Sequence, residues 1–392
     1  MAEAASEGAT PPHHGLPDEI FIWEILVRLP PKSLLRCRAV CRAWRSATSA
    51  CGFLLAHHAR QPTLPLVYVR NRDFNDGVFP YGHDGNGASL DIIPVDHRAA
   101  ADHLRSVARL DQASDFYRLE GSCDGLLVLS LDDDTHFVIC NPATRQYAPF
   151  WLQSGFMFLG MYRHPPTGEY RLLMCPCWFL AHQVIAGSKD DCYVLSLGSG
   201  QPPRNIGPEQ THKLISDTRS VLFRGRLHWY RVQEKVKNNM IIVFDITAES
   251  FRQMHVPVRG CTGDDLFEMD GMLGMSSFRD TWTIIDIWVL QDYESEVWTI
   301  KCKIELPLME IRAWCGKDDE LCELVVVPGD GELLVLIKFA EWLFQVGMDG
   351  KLVATFHRKG VRPTQFQLKQ TLVQHDFFPT LEGYVVNNFP FI

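Results

Sequence analysis

The sequence predicts a chain that is α+β by segment: three short helices near the N-terminus, then an all-β propeller, with six blades preferred over seven. Three observations predict this. Apolar residues repeat with a helical period up to Gln61-Pro62 and with strand-like alternation after it. A glycine followed by a strand recurs at Gly125, Gly168, Gly225, Gly271, Gly331 and Gly383. The mean spacing is about 52 residues, close to the period of kelch-type propeller repeats. Charge is also divided. Residues 16–60 hold seven Lys/Arg against three acids, a balance of +4; the whole chain carries −9, so the remainder carries −13.

In the helical part, Ile22, Ile25, Leu26 and Leu29 fall at i, i+3, i+4 and i+7, one face of a helix. Pro17 suits its first turn, and Asp18 and Glu19 favour the positive end of its dipole. Pro30 and Pro31 stop it, and Ser33 is expected to cap a short second helix. Cys37, Val40, Cys41 and Trp44 repeat the i, i+3, i+4, i+7 pattern, leaving Arg36, Arg38, Arg42 and Arg45 mostly off the stripe.

After Gln61-Pro62 come short runs such as "PLVYVR", "GLLVLS", "HFVICNP", "IIVFDI", "WTIIDIWVL" and "LLVLIKF", bounded by Gly, Pro, Asn and Asp. The stretches "VICNPATRQY", "VFDITAESF" and "IWVLQDYESEVW" each read as strand, polar turn, aromatic restart: a hairpin. Four-stranded sheets arranged radially hide their edges, which a long all-β chain needs. One or two β-sandwiches with coincidental spacing is the competing reading. "PLVYVR" is expected to share a blade with the final "GYVVNNF" and close the ring. Arg98–Leu110 is the one helical candidate in this region. Asn71–Ser89 is a long polar loop.

Composition narrows the function classes. Net charge −9 does not advertise nucleic-acid binding. The first fifteen residues contain no apolar run and are expected to be disordered, not a secretory signal. The longest apolar stretch, from Leu333, is interrupted by Lys338 and Glu341 and is too short to span a bilayer. Twelve cysteines without a repeated spacing fit reduced thiols in an intracellular protein, placed in the cytoplasm, the nucleus or both.

The N-terminal segment "LPDEIFIWEILVRLPPKSLLRCRAVCRAWRS" resembles the F-box family. The matching residues are Leu16-Pro17-Asp18-Glu19, then Ile25-Leu26-Val27-Arg28-Leu29-Pro30, then Ser33-Leu34, Cys37, Val40, Cys41 and Trp44. Ile20 stands where leucine is commoner. From Gly121 to about Leu306, "GSCDGLLVL", "CNPATRQY", "VFDITAESFRQMHVP" and "IIDIWVLQDYESEVWTIKCKIEL" resemble the F-box-associated domains of land plants, which are regarded as propeller-like.

The resemblance implies a division into a terminal segment 1–15, an F-box over 16–60, and a substrate-recognition domain over 62–392. It implies a non-catalytic subunit of an SCF-type cullin–RING ubiquitin ligase. The F-box would bind the acidic adaptor protein of the complex and, through it, a cullin. The β domain would select a protein for ubiquitylation. Leu16, Pro17, Ile20, Ile25, Leu26, Leu29, Pro30, Ser33, Leu34, Val40 and Trp44 form the implied adaptor-facing and internal packing set, which the sequence does not divide further. No cofactor, nucleic acid or membrane partner is expected. The competing function is a glycan- or small-molecule-binding propeller with the F-box peripheral.

Other chemistry is thinly supported. Cys37, Cys41, Cys51, His57 and His58 lack a structural-zinc spacing, and two cysteines four apart also continue an apolar stripe. "CPC" at Cys175–Cys177 is not the C-x-x-C redox spacing. Asp132–Asp134 and Asp264, Asp265, Asp270 do not match a calcium loop. No phosphate loop, nucleophile elbow or zinc-protease motif occurs. Aromatic residues on propeller loops could anchor a target protein, and Trp151, Phe156, Tyr162, Trp178 and Trp314 are the candidates.

Overall fold

The computed structural model describes residues 17–71, 88–95, 104–112, 118–130, 136–151, 156–176, 191–208, 219–231, 240–257, 262–278, 283–315, 321–329 and 332–378. The chain divides into two compact units, Met1–Gln61 with Thr371–Val373, and Pro62–Gln370 with Gln374–Ile392.

The first unit is helical. An α-turn, α1 (Asp18–Ile20), runs into a π-turn Phe21–Ile25 and a 3-10 turn Leu26–Arg28, followed by α2 (Pro31–Cys37), α3 (Arg42–Ser49) and α4 (Cys51–Arg60). This is one helix more than the sequence predicts, because "CGFLLAHHAR" forms α4. The π-turn holds an extra residue and so rotates the next turn about the helix axis. Leu26 and Val27 therefore point inward, while Ile25 stays exposed. Pro31 occupies the first turn of α2, where its missing N–H costs nothing. Ser33 lies inside that helix and caps nothing. The predicted Cys37–Trp44 stripe is also broken. Arg38–Val40 form a turn, and Cys41, extended at φ −153°, is the N-cap of α3. Its Sγ accepts the Trp44 N–H at 3.4 Å. Phe53, Leu54, Leu26, Val27 and Leu34 make the small core. The Leu29 carbonyl, freed where Pro30 ends the helix, accepts from His57 Nε2 at 2.8 Å and Gln61 Nε2 at 3.2 Å.

The second unit contains six four-stranded antiparallel sheets. One sheet is β4 (Arg118–Cys123), β5 (Leu126–Ser130), β6 (His136–Asn141) and β7 (Gln146–Trp151). The next is β8 (Phe156–Arg163), β9 (Tyr170–Pro176), β10 (Asp191–Ser196) and β11 (Arg204–Pro208). The third is β12 (Val221–Phe223), β13 (Arg226–Arg231), β14 (Met240–Asp245) and β15 (Ser250–His255). The fourth is β16 (Thr262–Met269), β17 (Met272–Phe278), β18 (Ile284–Asp292) and β19 (Val297–Glu305). After the helix α5 (Leu308–Cys315) come β20 (Leu321–Pro328), β21 (Leu333–Phe339), β22 (Trp342–Val346) and β23 (Leu352–His357). The last sheet combines both ends of the unit in the order β24 (Val361–Leu368), β1 (Leu64–Asn71), β2 (Ala88–Pro94) and β3 (Ala108–Gln112).

The apolar core divides into six clusters, one at each junction between successive sheets, including the junction of the fifth with the sheet that joins the ends. Six sheets with six shared cores form a closed six-bladed propeller. Closure occurs through β24, which pairs with β1. β1 has β24 on one side and β2 on the other; "GYVVNNF", expected to share this blade, lies outside the described residues. Arg98–Leu110 corrects another expectation: its last three residues open β3, and Leu104–Val107 are not helical.

Of the recurring glycines, Gly125, Gly168, Gly225 and Gly271 lie in the turns between the first and second strands of a blade, while Gly331 and Gly383 lie outside the described residues. Gly125, Gly225 and Gly271 have φ of 85°, 68° and 71°, each preceded by a residue also at positive φ (Asp124, Arg224, Asp270). That pair is the hairpin turn whose twist matches the flanking strands. The second recurring phrase closes the third and fourth strands. Asn141, Asp245 and Asp292 each accept, through Oδ1, two backbone N–H groups of the adjoining turn.

In two blades this turn ends in a glutamate that grips the preceding blade. Glu296 bonds His255 (its N–H at 2.9 Å and Nδ1 at 2.7 Å) and lies 3.5 Å from Arg252. Glu249 accepts from Tyr162 Oη at 2.8 Å, from Arg171 at 2.7 Å and from Arg204. Burial pushes the Glu249 carboxyl up, but the hydrogen bonds from Arg204, Tyr162 and Arg171 outweigh it and hold it below its ordinary range. Glu249→Ala leaves Arg171 and Tyr162 facing a gap between blades. A loss of about 2–4 kcal/mol in unfolding free energy is expected, checked by denaturant titration.

His228 forms a second junction, with Nε2 2.8 Å from Tyr293 Oη on the next blade. Burial pulls its pKa down from 6.5 to about 4. The folded state therefore favours neutral imidazole, while the unfolded chain takes up a proton below about pH 6.5, so stability falls as pH drops from 6.5 towards 4. Asp265, pushed up to about 6 mainly by burial, acts in the opposite sense, so the comparison is between wild type and His228→Gln. The variant's urea midpoint should fall less steeply between those pH values; parallel curves would reject this role for His228.

Candidate functional site

The helical unit divides the sequence-derived set in two. Leu26 and Leu34 are buried, and Leu29 and Ser33 are half-buried. Trp44 is half-buried against Phe21, with ring centroids 5.9 Å apart. Pro17, Ile20, Ile25, Pro30 and Val40 are exposed. Leu16 lies outside the described residues. Sequence reasoning missed Trp23, Leu35 and Leu55, which are exposed too. Together Ile20, Trp23, Ile25, Leu35, Val40 and Leu55 are 39% to 67% exposed. These six large apolar side chains are left uncovered on the helical unit. Trp23 is held in place by Phe53, at 5.6 Å between centroids. The signal available in the sequence was an apolar excess: more large side chains than three short helices can bury.

On the propeller, two aromatic candidates are core residues and not surface anchors. Tyr162 is fully buried, its hydroxyl committed to Glu249. Phe156 is buried edge-on to Tyr193 at 5.0 Å. Both sit on β8, whose neighbouring blades cover them. Trp151 ends β7, and its side chain is not described; Trp178 lies outside the described residues. Trp314 on α5 is 52% exposed and packs against Trp342 at 5.3 Å.

Among the described residues, no three His, Cys, Asp or Glu are grouped to hold a metal ion. Cys37, Cys41, Cys51, Cys123, Cys140, Cys175, Cys192 and Cys302 are free thiols. Burial pushes Cys140 up to about 12, the opposite of what a nucleophilic thiol needs. No described helix is long and apolar enough to cross a membrane.

Residues 14–58 match the F-box-like family, and residues 99–370 match the F-box associated beta propeller domain. The chain belongs to the F-box proteins with an F-box-associated propeller. Curated relatives agree. F-box protein At5g49610 of Arabidopsis thaliana is 26% identical over 316 residues, covering 74% of this chain and 79% of the relative. F-box protein At5g18160 from the same plant is 25% identical over 294 residues, covering 73% and 69%. Among solved structures, TolB from Acinetobacter baumannii is similar with a TM-score of 0.44 and 12% identity, over 82% of this chain and 71% of that one. Strand pairing, not that likeness, establishes the six blades. In this F-box protein six large apolar residues are exposed on the F-box, and on the propeller Leu222, Ile284, Val297, Ile300, Met309, Trp314 and Val353 are exposed as well.

Proposed function

We propose that this F-box protein is a substrate-receptor subunit of an SCF-type ubiquitin ligase. Its F-box docks a Skp1-type adaptor, the adaptor bridges to a cullin, and its propeller recruits the protein to be ubiquitylated. The observation that carries this is the apolar set on the F-box: Ile20, Trp23, Ile25, Leu35, Val40 and Leu55 are left in water by the unit's own packing, and their burial against a partner would drive association. Arg36, Arg42 and Arg45, also exposed on the F-box, suit an acidic adaptor and would quicken encounter more than deepen affinity. The receptor itself performs no chemistry; it raises the target's effective concentration near the ubiquitin-loaded enzyme. Co-expression with the adaptor and a cullin, with affinity purification and native mass spectrometry, tests this. One copy of each in a single complex supports the proposal; a chain that purifies alone contradicts it.

A further inference from the structure

This inference rests on the receptor reading and names the chemistry its propeller would select. α5 lies on the connection from β19 to β20 and is anchored by Ile311, which is fully buried. Trp314 stays 52% exposed. Its ring leans on Trp342 at 5.3 Å, and Trp342 in turn packs on His357 at 4.5 Å. The exposed indole is thus held as a fixed surface. Glu310 stands one turn earlier on the same side of the helix, also exposed. Glu341, next to Trp342, lies 3.6 Å from His357 and is half-exposed, placing a second carboxylate beside the rings. Arg312, the cation of α5, is two residues from Trp314 and therefore on the opposite side. Residues 61–392 hold 31 Lys/Arg and 42 Asp/Glu, a balance of −11, so the propeller's field favours a basic partner.

We propose that Trp314, framed by Glu310 and Glu341, is the docking point for an arginine or lysine side chain of the target protein. The cation lies on the indole face and pairs with the carboxylates.

The test uses the full chain labelled with 5-fluorotryptophan, with Trp314 assigned by Trp314→Phe. Fluorine spectra are recorded during titration with capped Leu-Arg-Leu and capped Leu-citrulline-Leu peptides, which differ in charge at nearly constant shape. The Trp314 resonance should shift saturably with the arginine peptide and not with citrulline. Glu310→Gln should weaken the arginine response about fivefold while the other resonances keep their positions. Equal responses to the two peptides, or a Trp314 resonance that does not move, would overturn the proposal. Adaptor capture is measured on the same samples. A lost arginine response with adaptor capture intact overturns the docking point alone, whereas lost adaptor capture with the arginine response intact overturns the receptor reading alone.

Discussion

Replacing Ile20 and Ile25 together by aspartate is expected to weaken adaptor binding at least about 100-fold while leaving the thermal transition of the propeller unchanged. Both residues are 40% exposed and stand outside the buried core of Leu26, Val27, Leu34, Phe53 and Leu54, so that core keeps its packing when they change. In the complex they would be buried, and a carboxylate buried there without a partner costs several kcal/mol. Leu34→Ala offers the contrast. Leu34 is fully buried, so truncation opens a cavity in a core of only a few side chains and costs about 2–5 kcal/mol. That variant should lose adaptor binding because the helical unit unfolds, visible as lost helical circular dichroism. The aspartate pair should lose binding with helicity retained. Calorimetric titration of purified adaptor together with far-ultraviolet spectra separates the two, and full adaptor affinity in the double aspartate variant would reject the proposed surface.

Ending the chain after Gly360 is expected to abolish cooperative unfolding of the propeller. That deletion removes β24, which pairs with β1 from Leu64↔Leu368 to Val69↔Val361. Thr364 Oγ1 also donates to the Leu66 carbonyl at 2.6 Å, and Gln367 reaches across to the Pro328 carbonyl at 3.0 Å. Without β24 that edge of β1 is bare, and Val361, Phe366 and Leu368 leave two inter-blade cores at once. A broad, non-cooperative melt is expected. A sharp transition after the Gly360 truncation would mean that the ring does not depend on this ladder.

The parts legible in the sequence were those fixed by local rules. Gly125, Gly225 and Gly271 show at the right interval because each supplies a positive φ in a two-residue hairpin turn. Asn141, Asp245 and Asp292 show because a short acceptor side chain must satisfy the turn's N–H groups. The missed parts depend on long-range packing or on a departure from regular period. The π-turn at Phe21–Ile25 brought Val27 inward beside Leu26 and left Ile25 exposed, and no 3.6-residue template contains it. Closure by β24 joins residues about 300 apart, and "VRPTQFQL" carries two polar glutamines and a proline that hide its strand. The same limit applies to function. Tyr162 and Trp314 look alike as aromatic residues in a chain; only the fold shows that one locks two blades and the other faces water.

The central claim, that the propeller selects proteins for a ligase joined through the F-box, is tested most directly by quantifying ubiquitin-remnant peptides across the proteome. Plant cells expressing the wild type would be compared with cells expressing the Ile20→Asp, Ile25→Asp variant. The account predicts a small set of proteins that bind both forms equally but are ubiquitylated and depleted only with the wild type. If every protein that binds both forms is ubiquitylated equally with both, so that no ubiquitylation depends on the F-box, the claim is contradicted.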